Sequence, residues 1–188
     1  TNEINFFGER IDLKFFYGIF IILSFTGFTN ATNLTDGLDG LLGGTSAIIT
    51  TGITVLAFIN KNYYVMYFGL SLLTGIFAFL IFNLPKARIF MGDTGSLAIG
   101  AALFSMLLCL NMDVLIFIFG IIYLIETISV MLQVWFFKKT SGERLFKMSP
   151  FHHHLELSGL KDFQIDVIFW IITLICTIFA CILGVRVF

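Results

Sequence analysis

Charge is what this sequence has least of: Asp, Glu, Lys and Arg make up 12% of its 188 residues, about half the share of an average soluble domain. With 58% hydrophobic residues, the chain has too little charge to cover a water-soluble globule and too much apolar surface for a disordered one. The few charges nearly cancel, 11 Lys and Arg against 12 Asp and Glu, so no basic field recommends a nucleic-acid partner. Prolines number two, and the period-two alternation of an outer-membrane barrel is absent. Three cysteines, Cys109, Cys176 and Cys181, lie in apolar runs without metal-ligand spacing and read as small core residues. An initiator Met and a signal-peptide pattern are missing as well; a chain that begins at Thr1 reads as a fragment of a longer one.

What is present is a series of long apolar runs. A bilayer core needs about 20 apolar residues per helix, and six segments qualify: about 15–31, 41–59, 63–82, 96–111, 114–137 and 166–187. The fourth spans only if its helix begins in the polar segment Asp93-Thr94-Gly95-Ser96, whose short oxygen-bearing side chains suit a helix start. The expected fold is all-α, one polytopic transmembrane domain over residues 1–188. Loops after the first, third and fifth helices hold Lys86, Arg88, Lys138, Lys139, Arg144, Lys147 and Lys161. The other side holds Arg10, Lys14, Lys61 and Arg186. The excess places the first set of loops in the cytoplasm.

The unusual polar residues all fall in those three loops. Asn30 to Gly40 contains Asn30, Asn33, Asp36 and Asp39; on a helical turn the two aspartates would share a face. Gly37 and Gly40 leave the backbone open to close approach. Two acids beside a membrane with no neighbouring base suggest a site, the plain alternative being an interfacial helix cap. In the second loop, Asp93 sits between glycines at a helix start. A carboxylate there can hold Mg²⁺, an oxygen-seeking cation that leaves positions for phosphate, next to a helix N-terminus that favours anions; the alternative is an N-capping Asp. The third loop carries Lys and Arg around His152, His153 and His154. Successive helical side chains point about 100° apart, so the three cannot all ligate one ion. One or two facing the site could orient phosphate or handle protons. Glu126, Ser129 and Gln133 recur at helical spacing within the fifth span and read as hydrogen-bonding to a neighbouring helix at least as readily as a site. Carboxylates, a metal ligand and cations meeting at a membrane surface suit phosphoryl transfer between a soluble and a lipid substrate.

In these loops the segments NATNLTDGLDGL (30–41), FNLPKARIFMGDTGSLAIG (82–100), ETISVMLQV (126–134) and FKMSPFHHHLEL (146–157) resemble the polyprenyl-phosphate N-acetylhexosamine-1-phosphate transferases. The triple-His run resembles the branch that transfers phospho-N-acetylmuramoyl-pentapeptide. The resemblance implies transfer of that group from its UDP carrier to undecaprenyl phosphate, with Mg²⁺ as cofactor, yielding UMP and the first lipid intermediate of peptidoglycan synthesis. It implies a bacterial cytoplasmic (inner) membrane and, at family level, a homodimer. By motif, Asp93 is the metal ligand, and Asp36, Asn30 and Asn33 belong to the catalytic centre. Leu34, Gly37, Asp39, Asn83, Phe90 and Gly92 frame the uridine, and His152, His153 and His154 lie by the donor diphosphate or sugar. Lys86 stands where the family pattern has proline. Family members have about ten transmembrane helices, so six match a C-terminal portion, expected to be inactive alone. Competing readings are the same chemistry on UDP-N-acetylglucosamine, a transporter segment and a non-catalytic membrane subunit.

Overall fold

The computed structural model describes residues 3–6, 9–12 and 15–187; Thr1 and Lys14 lie outside the described residues. Six helices are long and apolar enough to cross a membrane: α1 (Phe15–Thr35), α2 (Leu41–Ile59), α3 (Tyr63–Asn83), α4 (Gly92–Cys109), α6 (Ile121–Lys139) and α8 (Asp162–Val187). The chain is a multi-pass membrane protein. Ahead of α1, a hairpin of β1 (Glu3–Phe6) and β2 (Glu9–Asp12) pairs antiparallel with Glu3 opposite Asp12. Four-residue strands are too short to span a bilayer, so the membrane part stays all-helical.

Several boundaries differ from the sequence reading; α1, for one, runs on to Thr35 where the apolar run stops near 31. The fifth span is not one helix over 114–137: a 3-10 turn at Asp113–Leu115 leads into the short α5 (Ile116–Phe119), and Gly120 separates it from α6. The ring of Phe28 occupies the space a side chain at position 120 would need, so the backbone there yields to packing from α1. The last helix starts at Asp162, not Asp166, which carries Asp166 one turn inward.

Helix α2 is the centre of the bundle, buried along most of its length, with α3 and α8 against it, while α1 packs on α4 and α6. Close approach rests on small residues. Gly44 receives the indole edge of Trp170, and Gly52 the methyl of Thr177; on α1–α4, Gly100 lies against Thr32, whose hydroxyl donates to the Ser96 carbonyl at 3.0 Å. Where lipid gives no hydrophobic drive between helices, such packing and buried hydrogen bonds supply association. The Tyr123 hydroxyl, shared with Thr45 (3.1 Å) and Ser46 (3.0 Å), ties α6 to α2 in the same way. The connections α1–α2, α3–α4 and α6–α8 all emerge at one end of this bundle, as their mutual contacts below require.

Candidate active site

The α1–α2 connection is a non-helical turn over residues 36–40. Gly40 closes it in the left-handed region, φ +89°, a conformation that favours glycine, and its N–H donates to Asn83 Oδ1 at 2.9 Å. Asn83 Nδ2 in turn donates to the Ile89 carbonyl at 3.0 Å. One side chain thus clamps two loops together. A second tie runs from the Ala87 N–H to Asp39 Oδ2 at 2.9 Å.

Because the turn is not helical, Asp36 and Asp39 do not share a face as a helix would require; they diverge. Asp39 turns to the α3–α4 loop, whereas Asp36 turns to the start of α4, where the Gly92 backbone N–H acts on its carboxyl. Burial pushes the Asp36 carboxyl above its usual range; the nearby Asp93 charge adds to this and the Gly92 N–H opposes it. The helix N-terminus expected to favour an anion is therefore already presented with one, from the protein itself.

Asp93 lies exposed in the first turn of α4 and is not the N-cap, a place held by Met91. Its Oδ1 accepts from Asn33 Nδ2 at 2.9 Å, and the same amide reaches Ser96 Oγ at 3.0 Å. Asn33, Asp36, Gly37, Leu38, Asp39, Asn83, Phe90, Gly92 and Asp93 line one cleft of about 250 Å³. Most of the residues singled out from sequence are brought together here. Asn30 and Leu34 are not: neither lines the cleft, and Asn30 Nδ2 is spent on the Thr26 carbonyl of its own helix at 2.7 Å.

The histidines separate. They sit on α7 (Phe151–Glu156), where only His152 reaches the cleft wall, its ring seated directly against Gly37 in the space a side chain would take. His153 Nδ1 pairs with Glu156 at 3.0 Å, and His154 Nδ1 accepts from the Lys147 N–H at 3.2 Å. Neither lines the cleft. What holds α7 is the polar stripe of α6. Gln133 Oε1 accepts from the Phe146 N–H at 2.8 Å, and Glu126 accepts from both the backbone N–H and Nδ1 of His152, each at 3.1 Å. These positions are two helical turns apart, about 10 Å along α6, so the connection folds back along its own helix. The sequence reading had these side chains bonding to a neighbouring helix: Glu126 does so, to the loop-borne α7, whereas Gln133 holds the loop ahead of it and the Ser129 hydroxyl donates to the Glu126 carbonyl of its own helix.

Sequence reasoning also passed over Asp166. It is 0% exposed on α8, near Gly40 and Trp170, and neither carboxylate oxygen is hydrogen-bonded among the described residues. Its signal was an acid at the very start of the last apolar run.

Metal binding has a limited but suitable donor set. Among the described residues, no three His, Cys, Asp or Glu side chains converge on one point. Mg²⁺ needs only one or two carboxylates, taking water and substrate phosphate for the rest. Asp93, exposed in the cleft, and Asp36, near enough to feel its charge, meet that requirement.

A model of glycosyl transferase family 4 matches residues 1–111. Proteins named phospho-N-acetylmuramoyl-pentapeptide-transferase are similar to the chain over nearly all of its length. That of Enterococcus hirae is 44% identical over 175 residues, 93% of this chain and 54% of that protein. That of Lactococcus lactis subsp. cremoris (strain MG1363) is 42% identical over 187 residues, 96% and 57% respectively. That of Latilactobacillus sakei subsp. sakei (strain 23K) is 45% identical over 167 residues, 89% and 52%. The chain spans about half the length of the curated relatives it matches. On the family match, which takes in more than half of its 188 residues, the chain belongs to glycosyl transferase family 4.

Proposed function

We propose that this chain carries the cleft of a membrane transferase that moves phospho-N-acetylmuramoyl-pentapeptide from UDP to undecaprenyl phosphate, releasing UMP, at the cytoplasmic face of a bacterial inner membrane. The supporting observation is the cleft itself: residues from two inter-helix loops line it, with a histidine from a third at its wall. The names of the relatives supply the substrate class. A homodimer belongs to the same reading.

Each residue then has a task its surroundings allow. Phe90, 78% exposed at the cleft, offers a face on which uracil can stack. Asp39 keeps one carboxylate oxygen for the base, the other being held by Ala87. Asn83 has both polar atoms occupied by backbone, so it shapes the uridine pocket and does not read the base. Asp93 and Asp36 would hold Mg²⁺, which when bound neutralises charge on the diphosphate. Asn33 fixes the Asp93 carboxylate for that purpose. His152, behind Gly37, backs the wall nearest Asp36.

The test joins this chain to any coding sequence contiguous with it, in lipid with undecaprenyl phosphate and Mg²⁺. UDP-MurNAc-pentapeptide and UDP-N-acetylglucosamine compete as donors, and mass spectrometry identifies the lipid product. The expected product is the MurNAc-pentapeptide lipid, lost in Asp93→Ala. A GlcNAc lipid would keep the chemistry and replace the substrate; no lipid product at all would overturn the reading.

A further inference from the structure

Glu126 is a carboxylate inside a membrane-spanning helix, 0% exposed. A buried acid needs a partner, and a residue left without one is costly. Among the described residues, neither Lys nor Arg supplies it. The partner is His152, also 0% exposed, bonded twice: backbone N–H to Oε1 at 3.1 Å and ring Nδ1 to Oε2 at 3.1 Å. Two contacts to one carboxylate fix both where α7 sits and how the imidazole is turned. The outcome is visible at the other nitrogen. Among the described residues, His152 Nε2 is buried without a hydrogen-bond partner, and it lies against Gly37, the neighbour of Asp36 in sequence. A carboxylate is an acceptor, so Nδ1 carries the proton it receives, and Nε2 is the nitrogen turned to the cleft wall.

We propose that Glu126 is a positioning residue for the transfer reaction, acting through His152: it holds Nδ1–H and thereby presents Nε2 to the loop that bears Asp36. The proposal rests on the function proposed above, but its first test does not. In protein with ¹⁵N-labelled histidine, His152 is expected to carry a proton on Nδ1; a neutral ring protonated on Nε2 overturns the proposal on the unmutated chain. Glu126→Gln is expected to lose that signature and to lower kcat by about 10–100-fold, the usual cost of removing a partner that orients a site ligand, with KM for the UDP-linked donor little changed. Added to His152→Asn, the same substitution should cost less than about twofold, because a residue that acts through another has nothing left to position. Equal losses in both backgrounds would mean that Glu126 acts elsewhere, as a purely structural acid does. If His152→Asn is too slow to measure, or the unmutated protein transfers no sugar phosphate, the nitrogen signature still decides this proposal, and only the second case counts against the proposed function.

Discussion

Asp36, half-buried, is held close enough to Asp93 to feel its charge. In protein stripped with EDTA, Asp36 should therefore titrate above the ordinary carboxylate range. Asp93→Asn removes the like charge and should move that midpoint down, as read from the Asp36 side-chain ¹³C shift against pH. An unmoved midpoint would place the two carboxylates further apart than described. The linkage has a definite sign: with the folded pKa above the unfolded one, folding is favoured most at low pH and loses stability as pH rises through the folded value. At this scale the sequence was legible in part. Asp93 and Asp36 were found by residue type and flanking glycines, and Phe90 through the family resemblance alone. The direction in which Asp36 and Asp39 part was not, because a three-residue spacing presupposes a helix and the turn at 36–40 is not one. Nor could any local pattern show that Asn83 spends both its polar atoms on distant backbone.

Helix α8 carries an acid that the bundle does not accommodate. Asp166 is fully buried beside Gly40, Leu84 and Trp170, both oxygens unpaired among the described residues. Burying polar atoms without hydrogen bonds costs about 1–3 kcal/mol, more than the small helix penalty of a β-branched residue. Asp166→Val should therefore raise the apparent Tm in detergent; a lower Tm would mean that the carboxylate has a partner in the membrane-embedded protein. Element boundaries were legible wherever composition changes abruptly, as at Asn83 or Gly92. They were not at Gly120, where an unbroken apolar run conceals a joint set by the Phe28 ring arriving from α1. Propensity sees neighbours in sequence, whereas that joint belongs to a neighbour in space.

Across the whole molecule, parity was the most informative reading: odd-numbered loops must emerge on one side, and here they meet. In a cysteine-free background, Lys86→Cys, Ser141→Cys and Ser158→Cys should label with an impermeant maleimide from one face, and Lys61→Cys from the other. Labelling of the first three from different faces would dismantle the shared cleft. The same arrangement bears on how the molecule is made. Residues of the cleft are spread from Asn33 to Asp93, but the ring that backs Gly37 belongs to α7, synthesised some sixty residues after the last of them. During translation, α1 to α4 can insert and tie their loops while that wall stands open. It closes only when α6 is in place and Glu126 can draw His152 inward. The order of synthesis thus makes every residue lining the cleft available before the ring that backs Gly37.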